Sequence, residues 1–368
     1  MKPQNKIPIY KPAFFGNEKK YVNECLDSTW ISGYGKFINS FEEEFAKKIG
    51  IKHTITVSNG TVALHLALVV LGIEAGDEII VPTFTYIASV NAIKYCNATP
   101  VFIDSLLDTW QLDPQEFRKK ITKKTKAIIV PHLYGMSCEM DEICEIAKEH
   151  NIKIVEDAAE AFGTLYKNQH VGTFGDIATF SFFGNKTITC GEGGMIVTND
   201  DHLNERVRNL KSQGLAKHGE YFHDSIGYNY RMTNIAAELG LAQLEEADMI
   251  IEKKRQLAKS YKEEFNRTNC DVVFFDDETK KVFCSYWMCS ILFENSQVRE
   301  KVRQKMKEAG IETRPLFCPA HLMPMYQDTK GSFKNAEELS QRGINLPSWP
   351  ELSQDEIKFI VNTIKQAL

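Results

Sequence analysis

The stretch "HTITVSNGTVALHLALVVLG" (residues 53–72) joins a short run rich in β-branched residues to a longer apolar run. β-Branched residues favour a strand, and an apolar run of helical length that ends at a glycine favours a buried helix. Ser58, Asn59 and Gly60 stand between the two, where a helix start is expected. A strand that leads directly into a helix is the unit from which parallel sheets with helical crossovers are built.

The same alternation continues to about residue 200 and predicts an α/β fold with a mainly parallel sheet that has helices on both faces. Amphipathic segments such as 139–151 separate several of the strand candidates. The last two candidates are close in sequence, which leaves an antiparallel hairpin open for that pair. The seven strand candidates are residues 53–58, 78–86, 99–105, 127–135, 152–161, 177–183 and 194–200.

After residue 200 the sequence becomes more charged and helical. Residues 234–267 predict one long helix that could bridge two domains. Strands are predicted over 281–294 and 311–317, and helices over 296–310 and 353–368. Because one core usually organises about 150 residues, we predict two domains. They are an N-terminal segment with a large domain over 1–245, and a smaller C-terminal domain over 246–368.

Composition and charge describe an ordinary globular protein. Hydrophobic residues make up 43% of the chain, charged residues 25%, and the net charge is −5. The interspersed charges argue against nucleic acid or an anionic membrane as the main partner. The start does not read as a secretory signal, and the apolar runs are far shorter than the ~20 residues that span a bilayer. The nine cysteines include no CxxC pair, which fits reduced thiols and offers no zinc-ligand spacing. A cytoplasmic protein without a metal is expected.

Two turns at predicted strand ends suggest a ligand site. Gly60 and Thr61 begin a helix, where a glycine lets a ligand approach and the N–H groups can bind a phosphate. The spacing fits neither GxxxxGK[ST] nor GxGxxG, so those nucleotide sites are not supported. Glu156 and Asp157 end another strand. An acid there can hold a protonated ring nitrogen, which pyridoxal phosphate (PLP) requires. Simple helix caps are the alternative at both turns.

Lys186 is the third feature, in "FSFFGNKTITCGEGGM" (180–195), between an aromatic run and three glycines. Burial of an unpaired ammonium costs several kcal/mol or lowers its pKa. A free amine of this kind can form a Schiff base with an aldehyde. The alternative is a surface lysine with a buried stem. The order of phosphate turn, strand-end acid and lysine in one α/β chain favours the Schiff base.

Longer motifs resemble one known family, from about residue 8 to the C-terminus. The family is the DegT-type (DegT/DnrJ/StrS-type) sugar aminotransferases, PLP enzymes with the aspartate-aminotransferase fold (fold type I). Within this family, the motif sequences are most similar to those of the GDP-perosamine synthases, which aminate a 4-keto-6-deoxy sugar nucleotide with glutamate. The resemblance implies a seven-stranded, mixed, mainly parallel sheet. The matching motifs are "SNGTVALHLAL", "PTFTYIASVNAIKY", "HLYG", "EDAAEAFG", "VGTFGD", "FSFFGNKTIT", "GEGGM", "GYNYRMTN" and "INLPS".

The resemblance implies roles for single residues. Lys186 would bind PLP covalently and then carry the proton between the substrate carbon and the cofactor. Asp157 would pair with the pyridine nitrogen and Tyr86 would stack on the ring. Glu160, where many relatives have glutamine, would lie near the cofactor's 3-hydroxyl.

Phosphate and substrate contacts follow from the same resemblance. Asn229 would reach the phosphate from a neighbouring subunit, so a homodimer with shared active sites is implied. Substrate contacts at Arg231, Arg314 and His321 are expected with a packing or interface role as the alternative. Cys190 replaces a residue that is usually threonine in relatives, which affects local packing. The phosphate of PLP would be held by Gly60, Thr61 and Ser181.

The leading hypothesis is a ping-pong transaminase that uses L-glutamate to aminate a keto-deoxy sugar nucleotide resembling GDP-4-keto-6-deoxymannose, for surface polysaccharide synthesis. A small keto-phosphate such as dihydroxyacetone phosphate is the alternative acceptor. A catalytically silent regulatory or binding protein on the same fold is the second alternative. Sugar dehydratases of this fold are disfavoured, because they replace the lysine with histidine. The motifs describe the cofactor site and leave the acceptor open.

Overall fold

A computed structural model describes residues 6–217, 220–275, 281–327 and 331–368. The strands are β1 His53–Val57, β2 Glu78–Pro82, β3 Thr99–Ile103, β4 Thr125–Pro131, β5 Lys153–Asp157, β6 Leu165–Tyr166, β7 Gln169–His170, β8 Ile177–Ser181, β9 Gly194–Thr198, β10 Val273–Phe274, β11 Val282–Phe283, β12 Cys289–Leu292, β13 Arg314–Pro315 and β14 Gly343–Leu346. The helices are α1 Glu18–Ser28, α2 Lys36–Ile49, α3 Gly60–Val70, α4 Ile87–Tyr95, α5 Pro114–Lys120, α6 Met140–His150, α7 Asp201–Leu210, α8 Asn234–Glu245, α9 Ala247–Thr268, α10 Ser296–Glu308, α11 Lys334–Arg342 and α12 Gln354–Lys365.

The large sheet contains all seven predicted strands, in the order β1-β9-β8-β5-β4-β2-β3. β9 runs antiparallel to both of its neighbours, and the other neighbouring strands are parallel. The hairpin left open for the last two strands is therefore present. The predicted α/β fold class, with a mixed and mainly parallel seven-stranded sheet, is confirmed.

Both faces of the large sheet are buried, which explains why its strands read as nearly continuous apolar runs. Alternate residues of β2 face opposite sides: Ile79 and Val81 belong to one hydrophobic cluster and Ile80 belongs to the other. Helix α3 is apolar on most of its surface and is buried against the first of these clusters. It begins at Gly60, because the Asn59 side chain accepts a hydrogen bond from Val62 N at 3.0 Å.

The second half of the chain contributes a four-stranded antiparallel sheet, β10-β12-β14-β13. The N-terminal segment is bonded to this half: Ile7 pairs with Ile311, and Ser348 N donates to Ile9 O at 3.0 Å. Helix α9 packs against α12. The division into domains at residue 245 stays a prediction. Within the described residues, no helix combines the length and apolar character needed to cross a membrane.

Three sequence predictions in the second half were wrong in detail. The helix predicted over 234–267 is broken at Glu246, which has a non-helical backbone (φ −99°, ψ 8°). The break arises because α8 packs on α1 and α2 whereas α9 packs on α12. The strand predicted over 281–294 is two strands in different sheets, β11 beside β6 and β12 beside β14, with Tyr286 at φ 49° between them. The strand predicted over 311–317 is limited to β13.

Candidate active site

A cavity of about 630 Å³ lies at the carboxyl ends of β5 and β8, next to the first turn of α3. Ligands bind at this edge in open α/β sheets. The second half of the chain closes the cavity with Trp287, Arg314 and Asn345. Eight of the predicted site residues line it together, although they are spread over more than 250 positions of the sequence. These eight are Gly60, Thr61, Tyr86, Asp157, Glu160, Ser181, Lys186 and Arg314.

Lys186 lies in the loop after β8, with its side chain only 13% exposed. Its Nζ is 3.8 Å from Glu160 Oε1 and 4.2 Å from the centroid of the Trp287 ring. Burial lowers the pKa of Lys186, and the charges of Glu160 and Asp157 oppose that shift. A lysine amine with a lowered pKa is more readily available as a nucleophile or base near neutral pH.

Glu160 is the acid nearest to this amine. Its Oε2 accepts a hydrogen bond from Tyr134 N at 3.0 Å. Burial raises the pKa of Glu160 to about 7, even though the charge of Lys186 acts in the opposite direction. Glu160 and Lys186 therefore form a close pair in which burial favours the neutral form of each group.

Glu156 and Asp157 are adjacent in sequence but have different surroundings. Glu156 accepts hydrogen bonds from the N–H groups of Gly172, Phe174 and Gly175, at 2.6 to 2.7 Å, and contacts His132 Nε2 at 3.0 Å. Burial raises its pKa, but these contacts outweigh that effect, and the pKa is lowered overall. Its oxygens are used within the protein, which gives this acid a structural role.

Asp157 lines the cavity. Its Oδ2 accepts a hydrogen bond from Ser89 Oγ at 2.7 Å, and its Oδ1 accepts one from Ala159 N at 3.1 Å. These contacts fix the orientation of the carboxylate without closing it off from the cavity. Of the two acids at this strand end, Asp157 is the one that could hold a positively charged ring nitrogen.

An anion can be held where α3 begins. The first N–H groups of a helix have no partner within the helix, and Gly60 and Thr61 supply them at the cavity wall. A side chain at Gly60 would place its Cβ 2.8 Å from Ser181 Cβ, so only glycine allows the helix start to approach the Ser181 hydroxyl this closely. This cradle of two N–H groups and one hydroxyl fits a phosphate.

Tyr86 provides a flat surface beside the cradle. It precedes α4, and its ring is exposed and lies 5.8 Å from the ring of Phe317. Both aromatic residues line the cavity. An aromatic ring bound between the cradle and Asp157 could stack on Tyr86.

Three predicted site residues do not line the cavity of their own chain. Asn229 is exposed, and its backbone pairs with Ser212. The Arg231 guanidinium lies 5.2 Å from the ring centroid of Tyr34. His321 is largely enclosed: its Nδ1 is 2.7 Å from Thr83 Oγ1, and its Nε2 is 3.4 Å from Glu337. Their predicted contacts with phosphate or substrate stay predictions.

Sequence reasoning missed Trp287 and Phe317, which complete the wall around Lys186 and Tyr86. Both come from the second half of the chain, in segments that read as ordinary apolar strands. A buried tryptophan next to polar positions is a weak signal, and only the fold brings it to the lysine.

Comparison with known proteins assigns the family. A model of the DegT/DnrJ/EryC1/StrS aminotransferase family matches residues 14–365. The chain belongs to this family. Among individual relatives, it is 56% identical to the GDP-perosamine synthase of Escherichia coli O157:H7 and 48% identical to that of Vibrio cholerae, in each case over 98% of both chains. The sequence-based resemblance is thereby confirmed.

Solved structures of other aminotransferases share the whole fold. A putative sugar aminotransferase from Streptococcus pneumoniae, in its pyridoxamine phosphate (PMP) form, superposes with a TM-score of 0.93 at 28% identity, covering 98% of each chain. PseC from Helicobacter pylori, an aminotransferase involved in pseudoaminic acid biosynthesis, gives 0.93 at 28% identity, covering 99% of each chain. The protein is a PLP-dependent transaminase.

The side chains that line the cavity are chemically suited to bind PLP, independently of the comparisons. The phosphate cradle, the Tyr86 ring, the Asp157 carboxylate and the Lys186 amine match in type the phosphate, ring, ring nitrogen and aldehyde of PLP. When bound, PLP withdraws electrons from the substrate carbon, so that a proton can leave it.

The raised pKa of Glu160 predicts a change of stability with pH in the cofactor-free protein. An acid whose pKa is raised from 4.5 to about 7 on folding binds more protons in the folded state, so its contribution to stability falls as pH rises through that interval. Glu160→Gln removes this titration. We therefore compare the free energies of unfolding of the two proteins. The wild-type value minus the variant value should decrease as the pH rises from about 5 to about 7.

Urea unfolding at several pH values measures this difference. Glu42→Gln is the matched control, because Glu42 is also buried but its pKa is lowered overall: burial raises it, and Lys211 and Arg208 outweigh burial. The stabilisation by Glu42 is lost only as pH falls below 4.5, the pKa of this carboxyl in the unfolded chain. The free-energy difference between the wild type and Glu42→Gln should therefore stay constant from about pH 5 to 7. A constant difference for Glu160→Gln as well would contradict the raised pKa.

Proposed function

We propose that this protein transfers the amino group of L-glutamate to the keto group of a GDP-linked 4-keto-6-deoxy sugar. The observation that carries the proposal is the near full-length identity to two proteins named GDP-perosamine synthase, the higher value being 56%. A relative from Bacillus subtilis is named a spore coat polysaccharide biosynthesis protein, and we place the amino sugar product in surface polysaccharide synthesis as well.

The proposal assigns each group of the cavity a task. The Lys186 amine would take the proton from the substrate carbon and hold it for return. Glu160, 3.8 Å away, holds a proton for this amine and releases it as the charge on Lys186 changes. Asp157 would hold the ring nitrogen of PLP in its protonated form through a hydrogen bond. Tyr86 would cover the cofactor ring and so limit access of water to it.

Arg314 is the charged group that we assign to the acceptor. It lies on β13 opposite Asn345 in the register of the second sheet, and both residues line the cavity. Its side chain is 55% exposed, and its guanidinium lies 4.0 Å from the Glu312 carboxylate. A guanidinium at the rim of the cavity can bind a phosphate of a nucleotide with two parallel hydrogen bonds.

The proposal includes a homodimer with shared active sites. Asn229 and Arg231 lie outside the cavity of their own chain, as expected for residues that serve a second copy. The neighbouring segment presents Tyr221 and Ile226, each 95% exposed, which a partner would cover. Mixing Lys186→Ala with Asn229→Ala subunits tests this arrangement: each hybrid dimer would contain one intact site, so the mixture should be more active than either variant alone. A mixture no more active than its components would oppose shared sites.

The acceptor is tested with purified protein, PLP and L-glutamate. The panel contains keto sugars linked to GDP, UDP and dTDP, together with dihydroxyacetone phosphate, and mass spectrometry detects the aminated products. We expect turnover of the GDP-linked sugar with the highest kcat/KM. Preference for dihydroxyacetone phosphate would overturn the acceptor while keeping the transaminase. Absence of any 2-oxoglutarate release from glutamate would favour a catalytically silent protein.

A further inference from the structure

The backbone that carries the active-site lysine is bonded to two residues from distant parts of the chain. The Tyr10 hydroxyl donates a hydrogen bond to the Lys186 carbonyl at 2.8 Å. The Trp287 indole N–H donates one to the Asn185 carbonyl at 2.7 Å. The two bonds hold successive carbonyl groups of one short loop. Phe183 O also accepts from Lys186 N at 2.9 Å, which closes a turn just before the lysine side chain begins.

Trp287 also contacts the reacting amine itself. The Lys186 Nζ lies 4.2 Å from the centroid of the Trp287 ring, within the range of a cation–π contact. The ring is 6% exposed and is stacked on Tyr134 at 6.2 Å between centroids, with 14° between the ring planes. Tyr134 N in turn donates to Glu160. Trp287 therefore limits both the position of the loop and the position of the amine.

Tyr10 is held equally firmly, from the side of the second sheet. The backbone of Ile9 accepts a hydrogen bond from Ser348 N at 3.0 Å, directly before Tyr10. The Lys254 Nζ, which is buried, donates to Ser348 O at 2.8 Å and lies 5.2 Å from the Tyr10 ring centroid. Tyr10 thus connects the segment that follows β14 with the lysine loop that follows β8.

We propose that Tyr10 and Trp287 act as a two-point clamp that aims the Lys186 amine at the reacting carbon. Tyr10 is a positioning residue, because it acts only through the backbone of Lys186. Trp287 has both a positioning role and direct contact with the amine. The inference rests on the proposed role of Lys186. Its physical basis is that proton transfer depends on sub-ångström placement, so a loop displaced by about 1 Å can lose about 10²-fold in rate.

Tyr10→Phe tests the clamp with the least disturbance. The variant keeps the ring beside Lys254 and removes only the hydroxyl that bonds Lys186 O. We expect kcat for the glutamate half-reaction to fall by about 10-fold to 10²-fold, while KM for glutamate changes less than twofold, because loop placement affects the chemical step rather than binding. Trp287→Phe keeps an aromatic face and removes the other hydrogen bond, and should give a loss of similar size.

Tyr261→Phe is the matched control. The Tyr261 hydroxyl is buried and donates to the Pro347 carbonyl at 3.0 Å. The bond is of the same kind, but its acceptor Pro347, unlike Lys186, does not line the cavity. Tyr261→Phe should lower thermal stability at least as much as Tyr10→Phe does, since the bond to Pro347 O is buried whereas the bond of Tyr10 to Lys186 O is only partly buried. The half-reaction of Tyr261→Phe should match that of the wild type.

Hydrogen exchange of the cofactor-free protein gives a second readout that does not depend on activity. Peptides covering residues 183–190 should exchange faster in Tyr10→Phe and Trp287→Phe than in the wild type and Tyr261→Phe. Equal rates and equal exchange in Tyr10→Phe and Tyr261→Phe would overturn the clamp. If even the wild type showed no glutamate half-reaction, the proposed function would fall, and the exchange pattern alone would decide whether the clamp holds the loop.

Discussion

Lys186→Ala is expected to lower the rate of the glutamate half-reaction by about 10⁴-fold, the upper range for loss of a general acid–base group. The reason is specific to this amine. It is buried, its pKa is lowered by burial, and it faces Glu160 at 3.8 Å. Alanine cannot move a proton or react with an aldehyde. Stopped-flow absorbance measures the half-reaction, and the visible absorbance of the lysine-bound cofactor should also be lost.

Two further measurements separate this chemistry from a folding defect. A small primary amine added to Lys186→Ala should restore part of the proton transfer, because the removed side chain leaves space in the cavity. Lys211→Met is the control: burial also lowers the pKa of Lys211, but this lysine bonds Thr56 O at 2.9 Å and does not line the cavity. Folded Lys211→Met should keep the visible absorbance and the half-reaction. A rate for Lys186→Ala within tenfold of wild type would exclude Lys186 as the proton carrier.

Local sequence was sufficient for the large sheet and for most of the cavity. Six of the seven strands are short, mostly buried runs, the exception being the edge strand β3, and burial on both faces makes such a run recognisable without its neighbours. Asp157, Ser181 and Lys186 follow or end these strands, so parallel pairing brings them to one edge. A correct list of strands therefore predicts much of the site.

Features that depend on tertiary packing could not be read in this way. The break at Glu246 involves neither glycine nor proline and results from α8 and α9 packing on different helices. Tyr286 adopts φ 49°, a left-handed conformation that its residue type does not suggest, and so separates β11 from β12. The contacts of Tyr10 and Trp287 with the lysine loop span 176 and 102 positions, so no local motif contains them.

Asp157→Asn is expected to lower the half-reaction by at least about 10²-fold, the size of effect found when one preorganised electrostatic group is removed from an enclosed site. Asparagine keeps the shape: its Oδ1 can still accept from Ala159 N, now 3.1 Å from Asp157 Oδ1, and its Nδ2 can donate to the Ser89 hydroxyl, now 2.7 Å from Asp157 Oδ2, because a hydroxyl can also accept. It lacks the negative charge that would keep a ring nitrogen protonated. Thermal stability should therefore change little while the rate falls.

Glu156→Gln should lower stability strongly and the rate only little, the opposite of Asp157→Asn. Comparison of these two variants decides which of the two acids serves the cofactor. Glu156 accepts three backbone hydrogen bonds and contacts His132 in a fully buried position, so an amide would present N–H donors to N–H donors. We expect a loss of about 3 to 5 kcal/mol in the free energy of unfolding, as for other broken buried charge contacts. The folded fraction should keep a half-reaction within about tenfold of wild type, because Glu156 does not line the cavity. If Glu156→Gln lost the reaction and Asp157→Asn kept it, the assignment of the two neighbouring acids would have to be exchanged.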